Sequence, residues 1–220
     1  MENNFEIFQK ELQNFFEQNG VNDSINLISL HEASKSDSDV QNITFFYNGD
    51  AELSVIDMDA IARKQYRAIR VSKELENTKD DIVNTADGFV INKDNTWFFL
   101  EFKTSTITGK KKALKDNIIK KAYGNWYMLM DILLNSSRSL SDSYFDYLNP
   151  VKFAKENVVY ILICNSKNNP NVVTQIKNHK SKNEKYTPIF MQRLKEYLFK
   201  DAYVYTEIEF ERDFVKKFEC

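Results

Sequence analysis

Apolar positions recur along the chain with a spacing that changes from helical to extended and back. Phe5, Phe8, Leu12 and Phe15 follow one another at three- and four-residue steps before Gly20, which predicts an amphipathic first helix that stops at the glycine. A second short helix is expected from Ser24 to about Ala33, with Asp23 or Ser24 as N-cap, and then a Ser/Asp-rich loop from Ser34 to Asp39. Ile43 to Tyr47 has weak strand character, and Asp57 to about Leu75 supports a helix through Ile61, Tyr66 and Ile69. The sharpest pattern comes next: Ile82 to Asn92 and Thr96 to Thr104 are β-rich runs separated by Lys93-Asp94-Asn95, a hairpin signature. From about Lys112 to Asn135, Ile118, Ala122, Trp126, Leu129 and Leu133 share one face of a helix long enough to cross a sheet.

Val158 to Cys164 is an unbroken apolar run of strand length, the pattern of a central strand covered on both sides. Pro188 opens a helix to about Lys200, and Ala202 to Phe210 alternates as a late strand. This order of elements predicts an α/β sandwich around a mixed sheet.

Composition narrows the class. A chain of 220 residues, 42% hydrophobic and 14% aromatic, can bury a sizeable core, and 3 prolines, 5 glycines and no internal period argue against repeats or long linkers. Cys164 sits inside the apolar run, far from Cys220, so a buried free thiol and a cytoplasmic setting are expected. Met1 to Asn19 carries acids and amides rather than a basic start and an apolar stretch, so no secretory signal is expected, and no 18-residue apolar run predicts a membrane span. The net charge of −2 gives nucleic-acid binding no support by itself, but the charge is segregated. Lys103 to Lys121 holds seven lysines against the single acid Asp116, Lys177 to Lys185 holds four with His179, and the acids gather in Asp37 to Asp59.

The chemistry is expected on the hairpin. In a strand, residues two apart share a face, so Glu101 and Lys103 point one way while Leu100 and Phe102 point the other. With the hairpin centred on Asp94, Asp87 lies opposite Glu101. Opposed carboxylates repel, and Phe89, Trp97 and Phe99 around them add a desolvation cost, so a positive group between them is expected. A Mg²⁺ or Mn²⁺ ion suits carboxylate oxygens and keeps positions open for water and phosphate.

The string Thr85-Ala86-Asp87-Gly88, thirteen intervening residues after Asp87, then Glu101-Phe102-Lys103 and a helix, resembles the core of the PD-(D/E)XK nuclease superfamily over roughly residues 80–165. The resemblance implies a restriction-endonuclease-like fold: a mixed central sheet of about four to five strands flanked by helices. It implies a single domain over residues 1–220, with 1–50 as a mainly helical N-terminal extension and the catalytic core at about 57–165. It implies Asp87, Glu101 and Lys103 as catalytic residues, with Asp87, Glu101 and the Phe102 backbone carbonyl as ligands of Mg²⁺ or Mn²⁺. The activity implied is metal-activated attack of water on a phosphodiester of nucleic acid, DNA ahead of RNA, by a protein acting alone, as a homodimer or with a protein partner. Ala86 stands where the family motif has proline, a position that coordinates nothing. The upstream helical acid many members add would be Glu74, with Glu76 and Glu32 as alternatives. Of the polar residues on the following helix, Asn117, Lys120, Lys121 and Asn125, the expectation falls on Lys120 and Asn125.

Each feature has a plainer reading. Short D…E-x-K strings arise by chance as solvent-facing charges on a hairpin, and only the hydrophobic strands, short loop, lysine-rich exit and long helix around this one set it apart. Lys110, Lys111, Lys112 and Lys115 are a phosphate-contacting run or an ordinary solvated face. The 177–185 cluster reads as a mobile surface loop, and Tyr123, Trp126 and Tyr127 read as core before they read as a base-stacking platform. His31 and His179 lie far apart, so a His-based zinc site or acid/base pair is not expected. The competing functional class is a catalytically inactive nuclease-like fold that binds protein as an immunity or regulatory module.

Overall fold

Long apolar runs set the centre of the architecture and short ones its edges. A computed structural model of the chain describes residues 3–36, 44–49, 52–70, 83–108, 112–134 and 149–218. Its strands are β1 (Leu27–Ser29), β2 (Lys35–Ser36), β3 (Thr44–Phe45), β4 (Ser54–Ile56), β5 (Gly88–Ile91), β6 (Trp97–Lys103), β7 (Val158–Cys164) and β8 (Asp201–Thr206). Its helices are α1 (Asn4–Gln18), α2 (Leu30–Ala33), α3 (Met58–Ile61), α4 (Arg67–Arg70), α5 (Lys112–Leu134), α6 (Pro150–Asn157), α7 (Pro170–Lys180), α8 (Ile189–Arg193) and α9 (Glu207–Asp213). A π-helical turn, Ala62–Tyr66, joins α3 to α4, and a second, Leu194–Leu198, prolongs α8.

Six strands form one mixed sheet in the order β1-β4-β5-β6-β7-β8, antiparallel from β1 to β6 and parallel from β6 to β8. The expected mixed α/β architecture is present, with six strands rather than four to five. The extra pairing comes from β1 and β4, three residues each, too short to show a period in sequence. Within the expected N-terminal extension, β1 is the edge strand of this sheet, and β2 and β3 form a separate antiparallel ribbon. Among the described residues no helix is long and apolar enough to cross a membrane.

The two faces of β6 carry different loads. Trp97, Phe99, Glu101 and Lys103 face the side covered by α1, α5 and α6: Phe8 of α1 packs on Phe89 and Trp97, and Phe153 of α6 packs on Trp97 and Trp126. Phe98 and Phe102 face the other side, against Phe214 and against Phe46 and Phe210. Every residue of β5 and of β7 is buried, as continuous apolar strands covered on both faces require. α1 is anchored by a capping box of Asn3 and Glu6, buries Phe5, Phe8, Leu12, Phe15 and Phe16, and ends near Gly20 at φ 79°, as its spacing predicts.

Three expectations change. The helix expected from Ser24 begins only at Leu30, because Ser29, extended at φ −63° and ψ 151°, caps it through Glu32 N while residues 27–29 pair with β4. The late strand stops at Thr206. Glu207 and Glu209 then occupy the first turn of α9, where carboxylates suit the positive helix end, and their alternation with Ile208 and Phe210 only imitated a strand. The 177–185 segment, read as a mobile surface loop, is helical through Lys180 at the end of α7 and a loop only from Ser181 onward, with Lys180 paired to Asp213 at 3.1 Å.

α5 packs closely on the chain leading into β5. A Cβ at Gly124 would meet Asn84 O at 2.2 Å and Val83 Cγ1 at 3.1 Å, so only glycine allows this approach. Helix propensity alone predicts that Gly124→Ala gains about 1 kcal/mol. The backbone clash is expected to reverse the sign and leave the variant about 2 kcal/mol less stable, as a lower denaturation midpoint at constant m-value. A raised midpoint would mean that residues 83–86 yield without resistance.

Candidate active site

The end of β6 and the start of β5 bring the predicted residues together. The register Gly88↔Leu100 and Phe89↔Phe99 has the sum expected for a hairpin centred on Asp94, so Asp87, one step beyond, stands opposite Glu101. The Asp87 amide donates to Leu100 O at 3.0 Å, and the Phe102 amide donates to Asp87 Oδ2 at 2.7 Å. A side-chain oxygen thus takes the place of a backbone acceptor where β5 begins, and the Asp87 carboxylate is fixed by main chain. Phe102 pairs with Ile163 in the β6–β7 ladder, which holds its backbone between Glu101 and Lys103.

Glu101 is fully buried. Its charge is met from two sides: Lys103 Nζ lies 2.5 Å from Oε1, and Lys121 Nζ donates to Oε2 at 3.0 Å. Lys121 also donates to Asp87 Oδ1 at 3.2 Å, so one ammonium is shared by both carboxylates. Glu101 Oε1, itself buried, has the Lys103 ammonium as its ionic neighbour and makes no further hydrogen bond. Side-chain exposure rises from 0% at Glu101 through 13% at Lys121 and 20% at Lys103 to 26% at Asp87, so solvent reaches the cluster at its Asp87 and Lys103 rim.

The helix residue in the cluster is Lys121, not Lys120. Lys120 is exposed on the outer face, as is Lys112, and Lys115 lies with its ammonium 5.8 Å from the Phe190 ring centroid. Asn125, one turn beyond Lys121, is fully buried and donates to Lys121 O at 2.8 Å, while its Oδ1 has no partner. Lys110, Lys111, Glu74 and Glu76 lie outside the described residues. Glu32 sits in the first turn of α2, exposed. The acid that approaches from upstream is one that spacing did not single out: Asp59, in the first turn of α3, accepts from Thr85 Oγ1 at 2.5 Å, two residues before Asp87. The local signal for it was the Asp57-x-Asp59 start of a helix, with Asp57 as its N-cap.

The exit from β6 is tied down. Asn169, buried and fully bonded, accepts from Ile107 N at 2.8 Å and donates to Ser105 O at 3.2 Å, while Asn168 donates to Thr104 O at 2.8 Å. These bonds join the loop after Lys103 to the loop after β7. A cavity of about 300 Å³ lies elsewhere, lined by Lys180, Lys185, Lys217, Glu184, Glu209 and Asp213 among others; Lys180 and Lys217 pair with Asp213 at 3.1 and 3.5 Å, and none of its acids is fully buried. Convergent charge, not volume, therefore singles out the Asp87–Glu101 cluster. Trp126 is core, as expected, whereas Tyr123 and Tyr127 are exposed. Of the two histidines, His31 stacks on Phe45 and bonds to Tyr47 O.

Among the described residues no three His, Cys, Asp or Glu side chains gather as a metal-ligand group. The carboxylate donors at the cluster are Asp87 and Glu101, and one feature of them fits a divalent ion: the two acids already share one cation. No protein-family model, curated protein or solved structure matches the chain. The functional reading therefore rests on the cluster itself.

Burial, reinforced by the Asp87 charge, pushes the Glu101 carboxyl up to about 7 against the pull of Lys103 and Lys121. Burial draws Lys121 down, but the charges of Glu101, Asp87 and Asp59 outweigh it, and the net direction is upward. A folded-state carboxyl raised from 4.5 to about 7 keeps its proton in the native protein where the unfolded chain has lost it. Stability contributed at this position therefore falls as pH rises between those values. In EDTA, Glu101→Gln is expected to match the parent near pH 4 and to exceed it by a few kcal/mol, on the order of 3, above pH 7. Parallel pH–stability curves for the two proteins would show that Glu101 does not titrate in this window.

Proposed function

We propose that the chain is a divalent-metal-dependent phosphodiesterase acting on nucleic acid, with DNA as the first substrate to test and a restriction-endonuclease-like arrangement of its core. The observation that carries this reading is the fully buried Glu101 held opposite Asp87 with a single cation shared between them. A fold does not set two carboxylates opposite each other at a partly desolvated strand end unless positive charge is held there. Asp87 and Glu101 would hold Mg²⁺ or Mn²⁺, with the Phe102 carbonyl as a further oxygen donor. When bound, the ion would supply an activated water and offset charge on the phosphate.

The remaining work falls to the chain's own groups. The Phe102 amide orients Asp87, and Lys103, at the solvent-facing rim, can meet negative charge that grows on the phosphate oxygens. The exposed lysines Lys112 and Lys120 add an attraction for a polyanion that salt screens. A cytoplasmic setting belongs to the same proposal, supported by Cys164 being a buried free thiol.

Purified protein incubated with plasmid DNA, single-stranded DNA or structured RNA is expected to cleave at least one of them with Mg²⁺ or Mn²⁺ and none with EDTA. Asp87→Ala and Lys103→Ala are each expected to lower the rate by about 10² or more, the scale set by removing one electrostatic contact to a transition state. One observation favours the second reading, a catalytically inactive protein-binding module: above pH 7, with Glu101 ionised, two acids and two ammoniums sum to zero, so the cluster is neutral without an ion. Absence of cleavage with every substrate, joined to absence of Mn²⁺ binding in calorimetry, would select that module.

A further inference from the structure

Lys121 occupies the place that both carboxylates share, and this has a consequence for how an ion could enter. Its ammonium donates to Asp87 Oδ1 at 3.2 Å and to Glu101 Oε2 at 3.0 Å, so one oxygen of each carboxylate is engaged by the same side chain. An ammonium and a divalent cation on the same pair of oxygens repel strongly at such separations in a site with little solvent. The two therefore exclude each other.

We propose that Lys121 is an internal placeholder for the divalent ion: it neutralises Asp87 and Glu101 in the metal-free protein and leaves them when the ion binds. The proposal rests on the metal-dependent reading above and adds a competing cation to it. Three features suit Lys121 to the role. It comes from α5, a different layer from the hairpin, so its four-carbon stem can withdraw without moving either acid. Lys103 stays at the other oxygen of Glu101, so the glutamate is never left without a positive neighbour. Asp59, hydrogen-bonded to Thr85 on the approach to β5, 40% exposed and paired with Arg63 at 3.6 Å, adds a further negative charge that acts on the Lys121 ammonium.

The test is Mn²⁺ binding to the metal-free full chain by calorimetry, with Lys121→Gln and Lys121→Arg beside the parent and thermal unfolding in EDTA and in Mn²⁺. Lys121→Gln is expected to bind Mn²⁺ about tenfold or more tighter, to melt lower in EDTA, and to gain more melting temperature from Mn²⁺ than the parent. Lys121→Arg, which keeps the charge, is expected to stay near the parent. Should the glutamine variant fail to fold, site-resolved acetylation of the parent decides: Lys121 is expected to be protected in EDTA and to react faster with Mn²⁺. Equal or weaker Mn²⁺ binding by Lys121→Gln, or an acetylation rate indifferent to Mn²⁺, overturns the placeholder while leaving a parent that binds Mn²⁺ a metal protein. Absence of binding in both parent and glutamine variant overturns the placeholder and the metal-dependent reading together.

Discussion

A carboxylate with no exposed surface, set at the end of a central strand, is the constraint from which the rest of this structure follows. Taking the Glu101 charge out of water carries a penalty of several kcal/mol unless positive groups lie against it. The fold supplies them from two directions. Lys103 comes from the same strand, so the E-x-K spacing itself delivers one ammonium. Lys121 comes from α5, and it reaches Glu101 only because the helix lies low on the sheet. Gly124 permits that approach by letting the helix backbone rest on Asn84 O, three residues before Asp87. The same close contact that brings Lys121 to the acids therefore also fixes the segment carrying Asp87.

Much of this was legible because long periodic segments leave little choice of conformation. β7 spans the residues of its apolar run, α5 ends within one residue of its expected limit, and the hairpin register follows from its centre at Asp94. What was hidden depends on partners distant in sequence. β1 and β4 are strands because they pair with each other and with β5, and three residues of either carry no period of their own. Asp59 gained its place through tertiary packing of α3 against the strand entry, which no spacing encodes. The choice between Lys120 and Lys121 was a matter of helix phase. Lys121 shares a face with Ile118, Ala122 and Asn125, all buried, and a lysine on a buried face reads as an error in the pattern until the acids it meets are known.

Charge segregation along the chain acquires meaning in the same frame. Of the described lysines that follow β6, Lys121 enters the cluster, whereas Lys112 and Lys120 remain on the outer surface of α5. With a net charge of −2, the proposed attraction of a polyanion would have to be local, so the field at the α5 end of the molecule would matter more than the sum. The cross-linked loops after β6 and β7 keep Lys103 from drifting, because Asn165 N donates to Lys103 O at 3.2 Å and Asn169 holds the chain on either side.

The two lysines at Glu101 are consequently not equivalent, despite equal charge and similar distance. Lys103 shares a strand with Glu101, and any motion of its backbone carries the acid along. Lys121 spans the gap between helix and sheet, and rotation of its stem separates it from both acids without disturbing a single backbone hydrogen bond. A cation from the same strand and one from a separate layer, at opposite oxygens of one carboxylate, would give the cluster two states. It would be balanced with both acids ionised and the ammonium of Lys121 in place, and would carry one positive charge in excess with a divalent ion there instead, a surplus suited to an anionic ligand. A cluster meant only to be neutral would gain nothing from drawing its second cation from a separate layer.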